Sequence, residues 1–409
     1  MSRWPVALGT LGLAVTLPFA TCTQGKNGPA DATVAPAKDA AAPAVAPTSV
    51  DPEISAVRRD AQRALELLSK WVQPGASDPT GPWAMAHGLL AFGPSLAVPN
   101  GKLVADYIVT EYSVDAELLG KKRVVFPSAT FSDEPLEPHK NLIVKTLVEL
   151  GLPLDRSFAL KGNKKITLDE LVGQVAPIIA VPTTDDEWRH LAWSLSMLLG
   201  SRSLDTVVGQ DTGKPVSVRE LAIASMSYLE EQQKFIEAAM LADQPEAVEK
   251  KKQGIFAHTC GGMHLIQAAV FGASKVGDPA LIDRARHQLD ILAFRYLAER
   301  PIYEAALKKA PREYLLILKI QELKFYGHWL ETIALAVKWG VLPVTPELKE
   351  TSAEVTRQLV ITVVQLEQAY RDLDTIRTVQ KQSYLDLIGD GCHAIRGLRE
   401  ALRLIFAAP

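Results

Sequence analysis

The sequence predicts an all-α fold built from repeated helical hairpins. Three observations carry that prediction. Apolar residues recur at helical spacing through most of the chain, alternating strand patterns are scarce, and histidines that lead into apolar runs return every fifty to seventy residues. Of the 409 residues, 47% are hydrophobic and 22% charged, a soluble globular composition. The net charge of −3 leaves no excess of Lys and Arg to neutralise phosphates, so a nucleic-acid partner is not expected. Three cysteines are too few for a disulfide scaffold, a zinc ribbon or a four-thiolate cluster.

Residues 1–22 read as a signal peptide: Arg3, then an apolar run from Pro5 to Ala20, too short to span a bilayer comfortably. The tail Phe19, Ala20, Thr21, Cys22 resembles the bacterial lipobox, although that pattern prefers Leu at Phe19 and a smaller residue at Thr21. The resemblance implies lipidation of Cys22. That would make the membrane a partner through a lipid anchor and place the chain in the bacterial cell envelope, facing the periplasm or the exterior; plain secretion is the alternative. Residues 23–50 contain 13 Ala or Pro among 28 and no aromatic residue, so they read as a disordered tether. The folded domain is expected over residues 51–409.

Within it, Glu53 to Val72 sets Val57, Ala61, Ala64, Leu65, Leu68 and Val72 on one helical stripe. Residues 314–339, 352–373 and 383–406 are long amphipathic runs without internal proline. Lys122 to Phe126 is the best strand candidate. Six histidines, His87, His139, His190, His258, His328 and His393, each open an apolar run or sit early in it, and Gly93, Gly151, Gly200, Gly272 and Gly340 read as helix stops. Phrases beginning at Gly101, Asn163 and Gly213 echo one another. The latter two lead into capping boxes, Thr167 with Glu170 and Ser217 with Glu220, each marking the start of a helix.

A His-bearing helix, a turn and a second helix, repeated about six times, must stack to bury its faces. Six such pairs can close into an inner ring of parallel helices within an outer ring. Residues 53–409, with phrases such as Trp83 to Gly93, thus resemble the six-hairpin (α/α)6 toroids shared by terpenoid cyclases, protein prenyltransferases, lanthipeptide cyclases and several polysaccharide lyases and glycosidases. An open α-solenoid would leave the same signature. The aspartate-rich boxes of terpenoid cyclases are absent, and no fingerprint of a nucleotide-binding loop or serine hydrolase occurs.

In a closed ring the N-termini of the inner helices share one mouth, and the histidines would converge there. Histidine titrates near neutral pH, so His258, His393 and His328 are the candidate acid/base residues. His87, Cys260, His264, Asp390 and Cys392 are candidates for ligand binding. Cys260 and His264 are four apart, hence on one helix face, and Gly261 and Gly262 would admit backbone or ligand closely. Asp390 reads as an N-cap. Cys260, Cys392 and His393 resemble the two-cysteine, one-histidine zinc set of lanthipeptide cyclases, which would imply a zinc cofactor. However, 132 residues and the His328 repeat separate the two cysteines. Helices pack roughly 8 to 10 Å apart, so alternate helices put their residues too far apart for one zinc or a disulfide. A bridge, a shared metal and two buried free thiols all stay open at this level.

Of the remaining features, Asp185, Asp186 and Glu187 read as an acidic first turn. Tyr326, His328, Trp329 and Glu331 could line a cavity, with core packing the expected use of Trp329. Lys250 to Lys252 reads as a solvated face. Together these features predict an envelope lipoprotein that binds a ligand, partner or envelope polymer at a His/Cys-lined mouth. The alternative is a lyase, hydrolase or cyclase-type enzyme using the same histidines.

Overall fold

In a computed structural model, residues 52–407 are described, and they fold as an all-α protein with fourteen helices and three small antiparallel hairpins. The segments expected as signal peptide and tether, Cys22 included, lie outside the described residues. No helix among those described is long and apolar enough to cross a membrane.

The chain starts with α1 (Pro52–Ala76), which buries the foreseen stripe of Val57, Ala61, Ala64, Leu68 and Val72; Leu65 is half-buried. Then helices alternate between two roles. α2 (Pro82–Phe92), α4 (Leu142–Glu149), α6 (Asp185–Ser201), α8 (Met263–Val276) and α10 (Leu315–Lys338) carry the buried histidines or their neighbours. Between them run α3 (Val104–Tyr112), α5 (Leu168–Val175), α7 (Val218–Leu241), α9 (Pro279–Lys309) and α11 (Pro346–Gln365). Short helices α12 (Glu367–Arg371) and α13 (Leu373–Val379) lead to α14 (Lys381–Leu404).

The first set packs in cyclic succession, α2 on α4, α4 on α6, α6 on α8, α8 on α10 and α10 on α14, and α14 returns to pack on α2. The paired residues give the directions. His87 meets His393 while Trp83 meets Gly389, and His264 meets His328 while Gln267 meets Thr332. Likewise Asn141 meets Ser194 while Val148 meets Gly200, Trp193 meets His264 while Leu199 meets Gly272, and Gly327 meets Ala394 while Glu331 meets Gly397. Residue numbers rise together in every pair, so these six helices are parallel. The second set covers them: α3 on α2, α5 on α4, α7 and α9 on α8, α11 on α10, and α1 on α14 and α2. Apolar side chains fill the space between the two sets, whereas the space enclosed by the first set is lined with polar groups.

The echoed phrases form hairpins at equivalent places, between a helix of the first set and the next of the second. Ala97 bridges Leu103, β3 (Ser157–Ala159) pairs with β4 (Lys165–Thr167), and β5 (Val207–Val208) pairs with β6 (Val216–Ser217). Both foreseen capping boxes form, and Thr184 with Glu187 makes a third at the acidic first turn of α6. The expected strand near Lys122 is β2 (Lys121–Val125), paired with β1 (Val114–Leu118).

Two sequence expectations are corrected. Gly93, Gly151 and Gly340 follow their helices with positive φ, but Gly200 and Gly272 lie inside α6 and α8, where a Cβ would come within 2.6 Å of Val148 and 3.0 Å of Ala222. Asp390 is not an N-cap: it sits in the middle of α14, and its neighbours Gly389 and Gly391 are open to Trp83 and to Val72 and Tyr370. Those glycines serve helix contact rather than a helix start.

Candidate functional site

Helices α10 and α14 approach closely because each puts a glycine into the contact: a Cβ on Gly397 would lie 2.8 Å from the Gly327 carbonyl oxygen, and one on Gly327 would lie 3.0 Å from the Ala394 Cα. This brings His328 and His393, each mid-helix rather than at a helix start, to a ring separation of 3.8 Å. Glu331 lies one turn after His328 on the same face, and Arg396 stands in the same relation to His393. Glu331 Oε2 accepts from His393 Nδ1 at 2.8 Å, and Glu331 Oε1 accepts from Arg396 at 3.0 Å. Arg396 also donates to Glu149 at 2.6 Å, and Glu149 pairs with Lys145. Gln267 adds bonds to Glu331 and Thr332. This charged layer forms the floor of the site.

Above it four imidazoles from four helices meet. His87 and His264 lie 5.3 and 5.2 Å from His393, and His264 lies 5.0 Å from His328. His87 Nδ1 donates to the Trp83 carbonyl at 2.8 Å, which fixes its tautomer and leaves Nε2 without a proton. Glu331 does the same for His393. His328 is fully buried, and neither ring nitrogen has a hydrogen-bond partner; Glu331 Oε2 is 3.5 Å from Nδ1 and Asp390 Oδ1 is 3.8 Å from Nε2. Asp390 in turn pairs with Lys324 at 3.4 Å.

Cys260 enters from the segment before α8. It has φ 52° and ψ 34°, and Gly261 and Gly262 continue in the left-handed region. For a residue with a Cβ that backbone costs on the order of 1–2 kcal/mol, so the surroundings must hold it. Arg295 does so from behind, donating to the Gly261 carbonyl at 2.9 Å and to buried Glu299 at 2.8 Å. The groups that approach Gly261 and Gly262 closely are thus Arg295 and Ile255 of this chain. Lys250 also reaches Glu299, yet it stays exposed, as Lys251 and Lys252 are, in line with the solvated face expected for this run.

A cavity of ≈ 330 Å³ opens above the cluster, lined by Trp83, His87, His139, Trp193, Cys260, His264, Lys324, Asp390 and His393. His139 stacks on Trp193 at 3.9 Å and stands 5.5 Å from His190, which faces a second, larger and mainly apolar cavity with Glu137 and Ser194.

The ligand-binding candidates His87, Cys260, His264 and Asp390 therefore come together with His328 and His393. His258 and Cys392 do not join them. His258 turns to Tyr228, with its Nε2 3.2 Å from the hydroxyl, and borders a neighbouring cleft. Cys392 is fully buried in the apolar layer between the two sets of helices. One residue along a helix is a rotation of about 100°, so with His393 pointing to the centre Cys392 cannot. The zinc set of Cys260, Cys392 and His393 is not assembled, and both cysteines are free thiols. Trp329 and Tyr326 face Tyr296, and Trp329 donates to the Leu292 carbonyl, so of these four residues His328 and Glu331 are the two that reach the centre. Sequence reading passed over Lys145, Glu149, Gln267 and Lys324, none of which stands in a motif. The three-residue spacings His328 to Glu331 and His393 to Arg396 were the available signal.

Burial holds His87 and His264 well below the usual histidine range and His393 down at about 4, assisted by their imidazole neighbours. Burial opposes charge on His328 too, but Cys260 and Glu331 beside it prevail and push it up to about 10. Burial raises Asp390 to about 6 against the pull of Lys324 and His328. For Glu149 burial is overcome by Arg396 and Lys145, which hold it at about 2. At neutral pH the centre thus presents three imidazoles with free lone pairs around one protonated ring.

Comparison with family models, with curated proteins and with solved structures finds no match to this chain.

Proposed function

We propose that this protein is an envelope lipoprotein, anchored through Cys22, whose helical toroid binds a small polar ligand in the His-lined cavity. The observation that carries the reading is the convergence of His87, His264, His328 and His393 from four helices beneath a cavity the size of a sugar ring or an amino acid. Taking an ionised group out of water costs several kcal/mol, and a chain that buries this many charges and imidazoles away from its apolar core invests in a site rather than in stability. Trp83 and Trp193 supply flat apolar walls, and the imidazole lone pairs accept from hydroxyl or ammonium groups. The cyclic succession of helix contacts supports the toroid over the open solenoid.

A second reading, an enzyme of lyase, hydrolase or cyclase type, is favoured by one observation. His328 and His393 stand ring to ring at 3.8 Å with their pKa values driven apart, the arrangement of a paired acid and base. Against it, a base at about 4 is far from the neutral value general catalysis prefers.

Calorimetric titration with a panel of envelope-glycan fragments and free amino acids tests the reading. A ligand that binds the wild type and loses affinity tenfold or more in both His87→Ala and Trp193→Ala supports it. A panel with no binder, or binding that survives both changes, contradicts it. Turnover of the bound fragment that disappears in His393→Ala would establish the enzyme. Anchoring is read separately, since Cys22→Ser should move the protein from the membrane to the soluble fraction.

A further inference from the structure

Beneath this cavity, and resting on the reading that it is the functional site, the geometry points to a divalent transition-metal site formed by Cys260 and His264, which line it, and by His328 below them. One donor atom from each of the three lies within 4.8 Å of the other two. Bonds of about 2.3 Å to sulfur and 2.0–2.1 Å to nitrogen would put donors about 3.5 Å apart, so closure by roughly an ångström completes the set. The thiol and two imidazoles form a borderline-soft trio that suits zinc better than calcium or magnesium.

Two independent features mark a missing ligand. His328 has no exposed surface and neither nitrogen closes a hydrogen bond of good geometry, the nearest carboxylate oxygens standing 3.5 Å away on Glu331 and 3.8 Å away on Asp390. The left-handed backbone at Cys260, braced by Arg295, holds the thiol in the wall of the cavity that His264 also lines.

A rival trio, His328, Glu331 and His393, also has donor atoms within 4.8 Å of one another but is already committed. His393 Nδ1 is bonded to Glu331 Oε2, and Arg396 occupies Oε1. Glu331 and His393 instead surround the site as a second layer that fixes its geometry. Three protein donors leave a fourth position toward the cavity, the pattern of metal sites that bind or activate a small molecule rather than brace a fold. Coordination displaces the thiol proton of Cys260 and the proton carried by His328, and both leave to solvent.

The test uses the full chain without a histidine tag, first stripped with chelator and then titrated with zinc alone against a chromophoric chelator. We expect one equivalent per chain in the wild type and in Cys392→Ser, and a loss of affinity of a hundredfold or more in Cys260→Ser and His264→Ala. Because a central substitution can disturb folding, the wild type also carries a direct readout: cobalt in place of zinc should give a thiolate-to-metal absorption band, and zinc should protect Cys260 from alkylation. No stoichiometric binding by the stripped wild type, or zinc that neither protects Cys260 nor depends on it, overturns the proposal. Zinc binding with no glycan or amino-acid ligand sinks the ligand reading alone; ligand binding by metal-free protein that zinc leaves unchanged sinks the metal alone.

Discussion

Gly397 lies against the backbone of Gly327, so close that a Cβ at Gly397 would sit 2.8 Å from the Gly327 carbonyl oxygen and 2.9 Å from the Glu331 nitrogen. Neither neighbour is a side chain that can swing away. The approach of α10 to α14 and the meeting of His328 with His393 therefore depend on two hydrogen atoms. Gly397→Ala should destabilise the protein by about 1–3 kcal/mol through overpacking, despite the helix preference for Ala of up to about 1 kcal/mol. Gly173→Ala, in α5 with nothing within 4 Å, should instead be neutral or stabilising. Denaturant unfolding of the two variants checks the contrast.

Arg396 bridges fully buried Glu331 and partly exposed Glu149. Arg396→Met should cost about 3–5 kcal/mol, because it takes the guanidinium from fully buried Glu331 and from partly exposed Glu149, leaving them only His393 and Lys145. Arg396→Met combined with Glu331→Gln and Glu149→Gln should recover much of that loss. Comparing the single and triple variants by thermal unfolding shows whether the pairing or the bulk of the side chain matters.

Glu137, beside the larger cavity, accepts backbone N–H groups of Ile143 and Asn141, and burial raises its pKa to about 8. Its folded-state value lies above the unfolded one. The folded protein therefore holds a proton that the unfolded chain releases from about pH 4.5 upward, and the contribution to stability is lost as pH rises through about 8. Glu137→Gln keeps an accepting oxygen and cannot ionise. The variant should match the wild type near pH 5 and exceed it by roughly 2–4 kcal/mol near pH 9. Melting temperatures across that range measure it.

Cys260 lines the cavity, whereas Cys392 is 1% exposed in an apolar layer that pushes its thiol far up. In metal-free native protein iodoacetamide should label Cys260 and spare Cys392; after denaturation without reductant both should react. Peptide mapping by mass spectrometry distinguishes them, and an unreactive pair in denatured protein would reveal a bridge.

Local features were legible in the sequence because local chemistry decides them. The capping boxes at Thr167 and Ser217 need only a hydroxyl and a carboxylate three residues apart, and the α1 stripe needs only period. The histidine series pointed His258 to the centre together with His87, His328 and His393, and the latter three arrive, whereas the His258 ring is claimed by Tyr228. Glycine was the ambiguous letter: Gly200, Gly272, Gly389 and Gly391 answer to partners such as Val148, Ala222, Trp83 and Val72, which only the folded chain supplies. Arg396 meeting Glu149 across 247 residues leaves no trace in either neighbourhood.

The account stands on imidazoles from four helices enclosing one site with Cys260. Diffraction from full-length crystals grown with zinc, recorded at the zinc absorption edge, tests this most directly. The predicted result is a single strong anomalous peak within bonding distance of Cys260 Sγ and the rings of His264 and His328, with His393 held to Glu331 alongside. A peak at Cys392, no peak despite zinc in the crystal, or the four histidines in separate packing environments would contradict it.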